Sequence, residues 1–546
     1  MKPELTASPQ FSNSRCSAPG QVASQGLAQG PIWADDKSNE TARVALSADR
    51  EAEALRLALA KSADEVAALI AAADELAGEI LEFQVAMLGD DELAAAAFPA
   101  IAEGAAADTA WLDAIGTHID VYRSDDSEYF RARAADLEDL RERVLGHLRG
   151  GAAAVDTTVS GRVVVADDMA PSRFLALAAH GMAALVLRAG SAASHVAILA
   201  RARGVPMLVG LRGLSLASLA SDTCALVDAE QGRLVIDPGS RERREFVARL
   251  KGLAERQDGE RRLLPMPAVT RRGTSVAVMV NIDDPALLTA IDIDHCDGTG
   301  LVRTELQLSD GGTLPDEKAQ IAIYRRVMTW ARGKPVVFRT LDAGGDKPIA
   351  GLTHEGEMNP FLGVRGLRLS LERPDVFAAQ IRAMLRVAHL GDLRIMLPMV
   401  TAPDEFDAAR RLIVDTHGAM ESEEQPENLP PIGMMVEVPA AALRIAEFGA
   451  DFFSIGSNDL IQYTTASSRD EASLRPLQDP LNPAVLELIG RVVEHGAQCG
   501  KGVSICGDMA SYPDCLADLI GLGMRTLSIA PAALGRIKAA VHELDA

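Results

Sequence analysis

The chain has 546 residues, 48% of them hydrophobic and 24% charged, with a formal net charge of −23. That length exceeds a single core and implies three or four domains. The acidity argues against nucleic acid or an anionic membrane as the main partner; it favours a basic protein partner or simple solubility.

Residues 1–17, within MKPELTASPQFSNSRCSAPG, lack an apolar signal core and read as a disordered tail. ASQGLAQGPIWA (23–34) reads as a strand that joins an α/β domain formed by 18–46 and 151–238. Between those parts, 47–150 is helical throughout. ADREAEALRLALAKSADEVAALIAAADELAGEILEFQVAML carries apolar residues at helix spacing for many turns, and two further helical stretches follow, so an all-α insertion of antiparallel hairpins is expected. GRVVVADD, AALVLRAG, PMLVG and CALVDAEQGRLVIDP then supply short strands. The highly charged 239–264 suits a linker helix between mobile domains. From 265 to 546, eight apolar strand-like runs alternate with helical segments, from VAVMVNI (276–282) to TLSIAP (526–531), the size and pattern of a (β/α)8 TIM barrel. Six cysteines (16, 224, 296, 499, 506, 515) show no CxxC pair and read as reduced thiols of a cytoplasmic protein. No run is long and apolar enough to span a bilayer.

Two groups of residues attract chemistry. In AGSAASHVAILARARGVP (189–206), His195 stands where small residues give way to a helix. It is either an ordinary first-turn residue, capped by Ser191 or Ser194, or a nucleophile beside a helix N-terminus that receives an anion. In the barrel region, polar residues gather at the C-terminal ends of the strands: Arg303 and Glu305, Arg339 and Asp342, Glu437, Asn458 and Asp459, and Cys506. That rim is where barrel active sites are built. Glu437 and Asp459 are hard oxygen ligands suited to Mg²⁺, and Arg303, Arg339 and Arg365 offer planar forks to phosphate or carboxylate oxygens. A small phosphorylated acid fits both halves.

DFFSIGSNDLIQYT, RTLDAGGDKP, NPFLGVRGLR, GTGLVRTE and MMVEVPAA, with SHVAILAR upstream, closely resemble enzyme I of the bacterial phosphotransferase system, the phosphoenolpyruvate–protein phosphotransferase family. The resemblance runs from about residue 18 to the end. It implies that His195 takes the phosphoryl group of phosphoenolpyruvate and passes it to the carrier protein HPr, in sugar uptake or a related regulatory relay. It implies that Arg303, Arg339, Asn458 and Arg469 hold the substrate phosphate, that Arg365 and Lys347 line the same pocket, and that Glu437 and Asp459 bind Mg²⁺. Cys506 would protonate the enolate. The all-α insertion would bind HPr through Met87, Leu88, Asp90, Asp91 and Glu92, the α/β domain would swivel, and the barrel would form a homodimer. Where many family members have a second glycine, a small hydroxyl residue and Thr or Ser, this chain has Ser191, Val196 and Ile461. Two other readings are a degenerate paralogue that binds HPr as a regulatory module, and a dikinase-like enzyme, which would need an ATP-binding domain for which no stretch is left over.

Overall fold

The computed structural model describes residues 16–546 apart from 35–44, 73–74, 125–127, 150–158, 193, 212–213, 215–218, 220–221, 306–313, 346, 348, 355, 422–425 and 470. The chain divides into two compact units, Met1–Leu253 and Ala254–Ala546.

The first unit opens with three strands: β1 (Cys16–Pro19), β2 (Gln21–Ser24) and β3 (Leu27–Ala34). Two expectations change here. Cys16 and Ser17, read as the end of a tail, pair with the C-terminal strand of this unit; residues 1–15 lie outside the described residues. The single strand expected over 23–34 is broken at Gly26, whose φ is +137° and where a Cβ would stand 2.9 Å from Pro206 Cγ. A long-range contact sets that break, and only glycine fits it.

Helices follow: α1 (Ala48–Ala72), α2 (Glu75–Leu88), α3 (Asp91–Ala95), α4 (Ala97–Ala102), α5 (Ala107–Arg123) and α6 (Glu128–Leu148). The long helical run is thus two helices, α1 packing on α2 and α6, and α5 on α6. Leu55, Trp111, Ile115, Leu137, Leu140 and Val144 form their core. Buried Glu51 accepts the backbone N–H of Ala107 at 2.8 Å, satisfying the start of α5.

The chain then returns to the sheet through β4 (Val163–Ala166), helix α7 (Pro171–Ala179), β5 (Ala184–Leu187), helix α8 (His195–Arg203), β6 (Met207–Val209), β7 (Cys224–Asp228) and β8 (Arg233–Ile236). The strand order is β1-β8-β7-β3-β4-β5-β6-β2. Strand β3 serves both halves, antiparallel to β7 over Leu27–Pro31 and parallel to β4 over Ile32–Ala34. Helix α9 (Ser240–Leu263) follows.

The second unit is the barrel. After the short β9 (Ala268–Val269) come β10 (Ser275–Ile282), β11 (Thr299–Arg303), β12 (Val336–Arg339), β13 (Leu393–Leu397), β14 (Ile432–Val436), β15 (Phe453–Gly456), β16 (Val503–Cys506) and β17 (Thr526–Ile529). From β10 to β17, among the described residues, eight strands run parallel, and β10 pairs with both β11 and β17 to close the ring. Each matches a run expected from the sequence. Side chains alternate across the strands. Val302, Phe338, Ile395 and Val436 join the large outer core, whereas Leu301, Val337, Met396, Met435 and Cys506 form a small separate cluster within the ring.

Candidate active site

The alternation that fills the barrel also arms its rim. Two residues beyond Leu301, Val337 and Met435 on the same faces stand Arg303, Arg339 and Glu437. One pocket is lined by Arg303, Arg339, Lys347, Arg365, Glu437, Asn458, Asp459, Arg469 and Cys506, so the nine barrel residues to which the resemblance gives a role lie at this one place. Asp342, Ser457 and the glycines 456 and 507 also line it.

The pocket's charges are held by one another. Arg339, 4% exposed, donates to Glu305 Oε1 and lies 3.0 Å from Asp342 Oδ2. Lys347 Nζ donates to Glu305 Oε1 at 2.8 Å. Arg365, 1% exposed, donates through Nη2 to both Asp342 oxygens at 3.0 and 3.2 Å, and through Nη1 to Asp459 Oδ1 at 3.4 Å. Arg303, nearer solvent, donates to Asp283 Oδ2 at 3.2 Å. The guanidinium of Arg469 lies over the Phe361 ring, 5.3 Å from its centroid. The Nε atoms of Arg339 and Arg365 are buried without a partner among the described residues.

These neighbours shift the proton equilibria. Burial pushes Glu437 up, the carboxylates of Asp459 and Asp342 add to it, and Arg339 and Arg365 only partly oppose them; the result is about 8. Burial would raise Asp342 too, but Arg339, Arg365 and Lys347 outweigh it and hold its carboxyl well below the usual range. Burial raises the Cys506 thiol, and the Glu437 charge raises it further, against a hydrogen bond from Ser454. The thiol donates to the Ile455 carbonyl at 3.4 Å.

Backbone geometry fixes the remaining parts. Met399 N–H donates to Glu437 Oε1 at 2.6 Å from a left-handed residue, φ +54°. A Cβ at residue 456 would stand 2.8 Å from Glu437 Oε2, so glycine lets that carboxylate fit. Helix Ser457–Thr465 begins directly at the end of β15, placing Asn458 and Asp459 in its first turn. Asn458 Oδ1 accepts the Asp508 N–H at 2.9 Å, and its Nδ2 donates to Asp508 Oδ2 at 3.3 Å. The sequence reading placed Glu305 and Asp342 on the rim without giving them work. Their task is to hold the cations, and the arginine three residues before Asp342 is the signal that pointed to it.

His195, in the other unit, is the first residue of α8. Ser194 is its cap, accepting the Ala197 N–H at 3.3 Å, so the plain helix-start geometry is present. Val196 and Ile461 are buried in the α/β and barrel cores respectively. On the helical insertion, Met87 and Leu88 are half-buried. Both pack on the helical core, and Leu88 also meets the α/β core. Asp90 caps α3 by accepting the Glu92 N–H at 2.9 Å, while Glu92 is exposed. The Asp91 side chain lies outside the described set. Among the four that are described, Asp90 and Glu92 are exposed and Met87 and Leu88 partly so.

Three family models match: "PEP-utilising enzyme, N-terminal" over residues 19–133, "mobile domain" over 158–232 and "PEP-binding domain" over 257–546. These define the class, a phosphoenolpyruvate-utilising enzyme. The phosphoenolpyruvate-protein phosphotransferase of Enterococcus faecalis is 35% identical over 91% of this chain and 89% of its own length. Those of Geobacillus stearothermophilus and Bacillus subtilis are 34% and 32% identical over 96% of this chain, and 93% and 94% of theirs. A solution structure of an enzyme I protein matches 43% of this chain and 99% of its own, at 24% identity and a TM-score of 0.37. The chain belongs to the phosphoenolpyruvate–protein phosphotransferase family, enzyme I. Among the described residues no helix is long and apolar enough to cross a membrane.

Proposed function

We propose that this chain transfers the phosphoryl group of phosphoenolpyruvate to its own His195 and then to a histidine of an HPr-type carrier, releasing pyruvate. The gathering of all nine sequence-selected barrel side chains around one pocket carries this reading. Five cationic side chains there match the phosphate and carboxylate of a small phosphorylated acid. The first turn of helix Ser457–Thr465 adds backbone N–H groups of the kind that receive phosphate.

In the first step a neutral imidazole nitrogen of His195 attacks phosphorus, and the bond from phosphorus to the enol oxygen breaks. Arg303, Arg339, Arg365, Lys347, Asn458 and Arg469 hold the substrate oxygens. The enolate takes a proton at carbon from Cys506, whose burial keeps the thiol protonated. In the second step the phosphorus–nitrogen bond breaks, its electron pair returns to the ring, and the carrier nitrogen receives the phosphoryl group.

Mg²⁺ fits Glu437 and Asp459. Burial first, and then the neighbouring carboxylates of Asp459 and Asp342, raise Glu437 to about 8, and a bound cation would offset both effects. Among the described residues no cluster of three or more His, Cys, Asp or Glu forms a protein cage; Mg²⁺ needs only one or two carboxylates and completes its shell with phosphate and water. When bound it neutralises phosphate and enolate charge.

In this reading 18–46 with 151–238 is the swivelling phosphohistidine domain, 47–150 the carrier-binding subdomain, 239–264 a linker and 265–546 the phosphoenolpyruvate barrel, which pairs as a homodimer. Of the carrier residues, Glu92 and Asp91 would steer the carrier, with Met87 and Leu88 supplying apolar contact and Asp90 shaping α3. The protein acts in the cytoplasm.

Incubation with labelled phosphoenolpyruvate and Mg²⁺ tests the reading. The label should be acid-labile, alkali-stable and on His195, and absent from His195→Ala with an unchanged circular dichroism spectrum. Full labelling of that variant refutes the assignment.

A further inference from the structure

The imidazole of His195 does not stand clear of the protein. Its Nδ1 is buried, lacks a hydrogen-bond partner among the described residues, and faces Asp136 Oδ2 at 3.6 Å. Asp136 lies on α6, 59 residues earlier in the inserted helical subdomain, and its side chain is fully buried. Its other oxygen, Oδ1, is also buried without a partner among the described residues. Arg133 Nη1 donates to Asp136 Oδ2 at 3.3 Å, and the Arg133 guanidinium lies over the Phe83 ring of α2, 4.6 Å from its centroid. A buried carboxylate and a buried ring nitrogen therefore face each other a few tenths of an ångström beyond hydrogen-bond distance. The side chain keeps 16% of its surface exposed, away from Nδ1.

We propose that Asp136 is a positioning residue for His195. It accepts the Nδ1–H of the neutral ring, so the lone pair sits on Nε2, the nitrogen free to meet phosphorus. The proposal rests on His195 being the nucleophile. The physical rule is general: the hydrogen bond at one imidazole nitrogen decides which nitrogen carries the proton and which is nucleophilic. An anion facing Nδ1 favours N–H there over a lone pair. When phosphorus binds Nε2, the Nδ1 proton remains opposite Asp136. When the phosphorus–nitrogen bond later breaks, the electron pair returns to Nε2 and no proton has to move. The helical insertion thereby does more than dock a carrier; it prepares the ring.

The test uses the full-length chain with ¹⁵N-labelled histidine, observed without substrate near pH 8, well above the ordinary histidine pKa of about 6.5. Long-range proton–nitrogen correlations distinguish the tautomers, and His195 is assigned by its loss in His195→Ala. Wild type should show Nδ1–H. Asp136→Leu should shift the ring toward Nε2–H and slow phosphorylation of His195 by phosphoenolpyruvate and Mg²⁺ by about tenfold or more, with KM for phosphoenolpyruvate unchanged. Asp136→Asn, whose amide oxygen still accepts, should restore much of both. Wild type in the Nε2–H form overturns the proposal, whether or not the leucine variant folds. So does an unchanged tautomer, or a wild-type rate, in folded Asp136→Leu. Failure of the underlying reading is seen separately, as wild type that takes no label on His195.

Discussion

His195 and the barrel rim solve opposite problems. The histidine starts a helix beside small residues, with one carboxylate within 3.6 Å of its buried nitrogen. The rim sets Arg339 against Glu305 and Asp342, Lys347 against Glu305, and Arg365 against Asp342 and Asp459, and several of these are almost wholly buried. In the proposed reading a group that serves two partners is lightly held, whereas a pocket that stabilises developing charge is organised before substrate arrives. Stability and activity should therefore be tightly linked at the rim and nearly separable at His195.

The largest effect expected is on rate. Glu437→Gln and Asp459→Asn should each lower phosphorylation by phosphoenolpyruvate roughly 10²–10³-fold, the scale of losing one preorganised electrostatic group. Initial rates at limiting Mg²⁺ check this, and wild-type rates in both would move the metal elsewhere. Next comes stability. Arg365→Met strands the buried Asp342 and Asp459 carboxylates and should cost about 3–5 kcal/mol. His195→Ala should change thermal unfolding little, and equal losses in the two variants would erase the contrast.

A smaller effect lies in pH. Glu437 holds its proton to about 8 in the folded chain, against an ordinary 4.5. Between those values the folded state binds a proton that the unfolded state does not, so stability falls as pH rises. Asp342 is depressed, and the stability it contributes is lost only as pH falls below about its ordinary 3.8. With a chelator present, Tm should decline from pH 5 to 8, and Glu437→Gln should flatten that slope. A rising Tm would show that the pocket welcomes the charge. Smallest are the effects at the proposed carrier residues. Neutralising Asp91 and Glu92 together should raise the apparent constant for the carrier severalfold at low salt and leave that for phosphoenolpyruvate alone. Asp90→Ala should instead weaken the start of α3 by about 1 kcal/mol.

The barrel was legible because each strand states its own period, and the rim residues continue the inner face by one further step of two. Arg303 after Leu301 and Glu437 after Met435 are visible in a few letters. What the sequence hid depends on distant partners. Gly26 breaks a strand because Pro206 comes close, and Glu305 binds an arginine 34 residues away on the next strand. Asp136 faces a histidine on another subdomain. The acidic run at 90–92 hid a local role as well: Asp90 caps its own helix, and no periodicity reports a cap that doubles as surface charge.

Strand β3 has a consequence for how the chain is made. Its first half pairs with β7, so Leu27 finds Asp228 only after about 200 further residues have been synthesised. At roughly 5–20 residues per second, that is a wait of about 10–40 s on the ribosome. Helices α1–α6 contact mainly one another and can fold within that interval. The nascent N-terminal strands meanwhile expose unpaired edges, which is the period of greatest exposure to aggregation and to chaperones. An early-folding insertion keeps the two halves of the sheet from drifting apart as unfolded chain, which shortens the search that finally closes β3 between β4 and β7.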